Sequence, residues 1–234
     1  MMRLDRFLAH VGLGTRKEVK TLIRTRRISV NNQIVTSDST QVNTSIDQVM
    51  FDDEKLVYKE FKYYLLNKPS GYVCANEDRV SPTVIALNDD FSKFNLHTVG
   101  RLDKDTTGVL ILTNNGRLTH QLINPKFAVD KIYLAIVDKD LEEHLINSFK
   151  EGFIVNNEYK TLPSKLEIIN DRLARLTLNE GKYHQVKRMF LHFGYKVTKL
   201  HREQFHSLRV DDLEEGKSRE LTAQEEALLF VDQL

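Results

Sequence analysis

The amino-acid sequence predicts an α+β fold: a small N-terminal module, then a larger domain with a mixed, largely antiparallel sheet. Two patterns point that way. The first 36 residues hold two short segments of helical spacing and one hairpin. After residue 60, short strand-like runs alternate with short helices, and one pair of runs is joined by too few residues for a crossover. At 234 residues the chain suits one large domain, or one medium domain with an appendage.

Leu4, Phe7, Leu8 and Val11 recur at helical spacing, and Gly12 and Gly14 stop that helix. Thr15 and Glu18 form a capping box for a second helix, whose apolar stripe is Val19, Leu22 and Ile23. Lys17, Lys20, Arg24 and Arg27, spaced 3, 4 and 3 apart, are expected on one face of it. "ISVNNQIV" reads as a hairpin, with Asn31 and Asn32 in its tight turn. The polar stretch Ser37 to Gln48 finishes the module, and the boundary is set as 1–59 and 60–234.

In the larger part "YYLLN" is strand-like and "KPSG" a turn. "VLILT" is a buried strand, "LTHQLI" a helix ended by Asn124-Pro125, and "VDKIYLAIV" a strand. "DLEEHLINSFKEG" reads as a helix with an Asp140/Glu143 capping box and a Gly152 stop. "KLEIIN" and "RLARLTLN" pair as a hairpin. "HQVKRMFLHFG" is a helix with Val186, Met189, Phe190 and Phe193 inward and Gly194 as its cap. "KVTKLHREQ" is a strand, and "LTAQEEALLF" a closing helix capped by Thr222 and Glu225.

Composition narrows the function classes. No run approaches the roughly 18 apolar residues of a membrane helix, and the N-terminus has no apolar signal core. Cys74 is the only cysteine, which permits no internal disulfide and fits a reducing cytosol. Charge is unevenly spread. Residues 1–27 carry 8 basic and 2 acidic side chains, residues 182–209 carry 7 and 1, and residues 211–234 carry 2 and 8. Two basic zones and an acidic tail imply a polyanion partner, RNA or DNA.

The stretch "GRLDKDTTGVLILTNNG", Gly100 to Gly116, concentrates polar chemistry before a core strand. Arg101 and Asp103 lie two apart on an extended approach, so they share a face. An Arg beside a carboxylate favours its ionised form, which suits a nucleophile or base. Asp103 and Asp105 also form a D-x-D pair suited to Mg²⁺, although Lys104 lies between them. A structural Arg–Asp pair is the third reading, and on these residues alone all three stay open. In "KIYLAIV" Lys131, Tyr133, Ala135 and Val137 share one face, so Tyr133 is a core ring or a ring for stacking a base. "EGKYHQVKRMF" sets Lys182, His184, Gln185, Lys187 and Arg188 at a helix start, an arrangement suited to phosphates.

These segments together resemble a known family. "GRLDKDTTGVLILTNNG", "KIYLAIV" and "GKYHQVKRMF" are similar, in family order, to motifs of RNA pseudouridine synthases of the RsuA/RluB/RluE/RluF group. "RLDRFLAHVGLGTRKEVKTLIRTRRISVNNQIV" resembles the S4 RNA-binding module that this group carries first. Within the group, "EGKYHQVKRMF" followed by "LHRE" is most similar to the branch that acts on 16S rRNA. The resemblance implies an S4 module and a pseudouridine synthase domain. Asp103 would be the carboxylate at the sugar–base junction of a flipped-out uridine. Arg101 and one basic residue of the third motif, Lys187 by alignment, would hold it charged. Tyr133 would stack on the uracil. Lys17, Lys20, Arg24, Arg27, Lys182, His184, Gln185 and Arg188 are expected to contact RNA. The implied partner is ribosomal RNA, 16S rRNA or a small-subunit assembly intermediate, met in the cytoplasm by a monomer with no metal, no cofactor and no membrane. The rival expectations are a 23S rRNA enzyme of the same group, a non-catalytic S4 assembly protein, and a D-x-D metal-dependent enzyme.

Overall fold

The structure, a computed structural model, describes residues 1–230. The chain divides into two compact units. One holds Met1–Lys62 with Lys93–Asn95, and the other holds Tyr63–Ser92 and the described residues from Leu96 on.

In the first unit, helices Leu4–His10 and Arg16–Arg24 cover a four-stranded sheet, in the order Gln33–Ile34, Ile28–Val30, Val49–Phe51, Glu54–Leu56. Thr15 and Glu18 cap the second helix reciprocally. Asn31 and Asn32 take φ of 51° and 65°, so the hairpin turns as its Asn-Asn pair demands. Leu4, Phe7, Leu8, Val19, Ile23 and Ile28 form the core. The polar stretch after the hairpin adds two strand residues, Gln41–Val42, paired with Met2–Arg3. One expectation fails here. The helix ends at Arg24 with Thr25 as its cap, so Arg27 leaves the basic face. Arg27 forms a two-pronged ion pair with Asp52 (3.0 and 2.5 Å) and lies 4.4 Å over the Phe51 ring.

The second unit is built on a nine-stranded sheet. Its path runs Lys165–Asn170, Leu173–Leu178, Lys131–Val137, Val197–Phe205, Thr107–Thr113, Tyr63–Lys68, Ser218–Glu220. Every pairing on this path is antiparallel except that of Val197–Phe205 with Thr107–Thr113. At that parallel contact Gly108 faces Arg202, and a Cβ on Gly108 would lie 2.2 Å from the Arg202 carbonyl oxygen. Only glycine, here at φ 105°, lets the two backbones come this close. Alternate residues of Lys131–Val137 are buried, and helix Gln185–His192 lays Val186, Met189 and Phe190 against that face.

The expected Asp140/Glu143 capping box does not form. The helix is His144–Glu151, its N-cap Glu143 makes no side-chain cap bond, and Asp140 instead accepts from Arg172 Nε at 2.9 Å. Charge-assisted pairing across the chain won over a local cap. The closing helix, Ala223–Leu228, does carry its Thr222/Glu225 box. Among the described residues no helix is long and apolar enough to cross a membrane.

Candidate active site

The site is assembled on the loop that enters the central strand Thr107–Thr113. Thr106 N–H donates to the Asp103 carbonyl at 3.1 Å, closing a turn. A buried lysine holds this turn in place. Lys68 is 0% exposed and ends the apolar strand Tyr63–Lys68. Its ammonium donates to the carbonyls of Thr106 (2.8 Å), Pro69 (3.1 Å) and Lys104 (3.2 Å). Burial pushes its pKa down, against the pull of nearby acids that include Asp105 and Asp103. Gly71 N–H adds a bond to the Lys104 carbonyl at 2.8 Å. The "KPSG" turn and the Asp103 turn are thus fastened to each other.

Asp103 projects into a cleft that it shares with Arg101, Thr106, Tyr133, Glu180 and His184. Its side chain is 22% exposed. Two nitrogen groups from the Gln185 helix region reach it: the Lys187 ammonium, Nζ at 3.0 Å from Oδ2, and the His184 imidazole, Nε2 at 3.4 Å from Oδ1. Lys187 also binds Asp105 Oδ1 at 2.5 Å. The gap between the D-x-D carboxylates therefore holds an ammonium. Burial opposes the charge on Lys187, but the two acids outweigh it and raise its pKa. Burial likewise disfavours the Asp105 carboxylate, and Lys187 more than offsets this, so the Asp105 pKa falls.

Two expectations about the charge partner resolve here. Arg101 lines the cleft and is exposed, but its guanidinium makes no ion pair with Asp103 among the described residues; Lys187 and His184 stand there instead. Between Lys187 and Arg188, Lys187 makes the contact. Arg188 turns away to Glu158 (2.5 Å) and lies 5.2 Å over the Tyr159 ring. Neighbours on a helix point about 100° apart, so only one of the two can face the loop.

Several of the residues expected to contact RNA are tied to protein partners. Gln185 is buried; its amide donates to Glu180 at 2.5 Å and its carbonyl accepts from Lys182 N–H at 2.8 Å. It braces the turn from the wall of the cleft. Lys182 pairs with Glu180 at 3.1 Å and sits 4.0 Å over Tyr159. Arg202, counted in the second basic zone, is only 2% exposed and donates to the Val109 carbonyl at 2.8 Å. In the first unit Arg3, Arg6, Arg16, Lys17 and Lys20 line a groove with Asp5 and Gln41, and Lys20 pairs with Asp38 at 3.0 Å.

Tyr133 is 8% exposed and lines the cleft from the sheet, opposite Arg202 in register. Thr106 Oγ1 is buried at the cleft with no hydrogen-bond partner. The sequence reading missed Lys68, Glu180 and Tyr159. A lysine directly after "YYLLN" was the signal for Lys68, since a cation ending an apolar run is either at a surface or deliberately bound.

The arrangement is an anionic oxygen, a fixed cation and an aromatic ring around one half-open cleft. Residues 62–192 match the family model for RNA pseudouridylate synthase, and residues 2–45 match that for the S4 domain. The ribosomal small subunit pseudouridine synthase A of Haemophilus influenzae is 42% identical over 96% of this chain and 97% of its own. The protein of that name from Escherichia coli is 37% identical over 96% and 98%. A solved structure described as a pseudouridylate synthase superposes with a TM-score of 0.69 at 40% identity, covering 98% of this chain and all of that one. The chain, with its N-terminal S4 domain, belongs to the RNA pseudouridylate synthase family.

Proposed function

We propose that this protein converts a uridine of 16S ribosomal RNA to pseudouridine, with Asp103 as the reacting carboxylate and the target base turned out of its helix. The observation that carries the reading is Asp103 itself, half-open to the cleft and ion-paired to Lys187 beside the Tyr133 ring. The relatives reported above are named for the small ribosomal subunit, which favours 16S over 23S rRNA as substrate.

The reaction breaks the N1–C1′ bond, turns the uracil and joins C5 to C1′. The C5 hydrogen leaves as a proton and N1 ends with one, so atoms and electrons balance within the nucleoside. No oxidant or reductant is called for. Attack on C1′ and a glycal-type path both need one ionised carboxylate at the sugar, and Asp103 serves either. Lys187 keeps that charge oriented without becoming a proton source, because its own acids hold it protonated. Tyr133 stacks on the uracil with its hydroxyl toward the C5 hydrogen.

Extruding the base costs a few kcal/mol of stacking and pairing. Phosphate contacts offset that cost. The groove of Arg3, Arg6, Arg16, Lys17 and Lys20 supplies them in the S4 unit. The same reading puts the protein in the cytoplasm with its ribosomal RNA substrate, acting as a monomer. Tritium release from 16S rRNA labelled at uracil C5 tests the proposal. Wild type should release label, Asp103→Asn should bind RNA without release, and 23S rRNA should be inert. Turnover by Asp103→Asn would overturn the assignment.

A further inference from the structure

Tyr183 is the most exposed of the described Phe and Tyr residues, at 71%. It is not idle surface. Its ring stacks on His184 with centroids 3.8 Å apart and planes 17° apart. His184 in turn reaches Asp103 with Nε2 at 3.4 Å. A line of contacts therefore runs from the proposed reacting carboxylate outward to an open aromatic ring. His184 holds φ at 49°, a left-handed conformation uncommon for a residue with a Cβ.

The residue before Tyr183 is held in place. Lys182 is held over Tyr159 and tied to Glu180, whose carboxylate is buried and bonded to Gln185 and to Leu162 N–H. Its ammonium also donates to the Lys160 carbonyl at 3.2 Å, which fixes the residue next to Tyr183.

We propose that Tyr183, backed by His184, is a stacking platform for the nucleobase adjoining the target uridine. The inference rests on the reading above and extends it to the substrate's flanking nucleotide. Flipping a uridine out of the stack leaves its neighbour with one bare face. A tyrosine ring one residue from the cleft restores a partner to that face, and such stacking tolerates any base. The platform thus recovers part of the cost of extrusion.

The test uses synthetic RNA carrying the mapped target uridine, intact or abasic at the nucleotide on either side. Tyr183→Ala should lower kcat/KM on intact RNA by roughly fivefold to a hundredfold, mainly through KM, the loss expected for one base stack. Tyr183→Phe should match wild type. The alanine penalty should vanish on one of the two abasic RNAs, because the base that used the ring is gone. No penalty on intact RNA, or the same penalty on all three RNAs, would overturn the platform; the latter would mean that Tyr183 only props His184. Absence of product from wild type on intact RNA would bring down the underlying reading, and the platform with it.

Discussion

The ammonium of Lys187 lies 3.0 Å from Asp103 and 2.5 Å from Asp105, so one cation joins the two carboxylates of the D-x-D pair. Asp105 thus shares its counter-cation with Asp103. Lys187→Met should therefore cut single-turnover rates by about a hundredfold, the scale of one lost electrostatic partner at a reacting centre. Lys187→Arg should retain most of the rate, and Asp105→Asn should lose less than Lys187→Met. Because its two acids raise the Lys187 pKa above the ordinary 10.5, no limb of the pH–rate profile below that value should belong to it. A limb that disappears in Lys187→Arg would contradict this.

Lys68 is the anchor of the reacting loop, and its replacement should act on rate through position. Lys68→Met strips a donor from three carbonyls, each costing about 1–3 kcal/mol when left unpaired, while sparing the burial of a charge. The net expectation is a protein destabilised by a few kcal/mol. Its kcat should fall on the order of a hundredfold, since small displacements of a reacting group have that effect. Hydrogen exchange supplies the second readout: the Gly71 amide, bonded to the Lys104 carbonyl, should exchange faster. Unchanged kcat would show that Asp103 is held by other means.

RNA affinity should follow the groove and not the whole basic list. Replacing Arg16 and Lys17 with Ala should reduce the slope of log K against log salt by roughly one to two units. Arg27→Ala should leave that slope unchanged, because its guanidinium is engaged by Asp52 and Phe51. An equal loss from both changes would relocate the RNA.

Lys131 provides a stability signature. Its side chain is buried, donates to the Val129 carbonyl at 2.8 Å, and is held near a pKa of about 8 by burial and then by Arg202. The unfolded chain titrates near 10.5, so between pH 8 and 10.5 it binds more protons than the folded one. The penalty is complete below pH 8 and relieved as pH rises through that window. It amounts to about 1.4 kcal/mol for each pH unit between the two titrations. Urea denaturation of wild type against Lys131→Met should show the difference moving toward wild type across that range. Parallel curves would show that the ammonium is not desolvated as the geometry requires.

Much of the fold was legible in the sequence because local rules and burial agreed. The Thr15/Glu18 and Thr222/Glu225 boxes, the Asn31-Asn32 turn and the alternation of Lys131 to Val137 depend on near neighbours, and all formed. Asp140 failed the same rule because Arg172, far along the chain, offered a charged partner. The motifs around Asp103, Tyr133 and Lys187 carried the family.

What the sequence determined by itself was therefore the elements, their order and the residue types that meet at the site. The tertiary structure decided which cation serves which acid. Lys187, Arg188 and Arg101 look equally available along the chain, yet of these three only Lys187 brings its charge to Asp103, while Arg188 goes to Glu158. The reason is physical: a polar side chain takes whichever partner packing brings within about 3 Å, and for Lys187 the Asp105 partner lies 82 residues away in the chain.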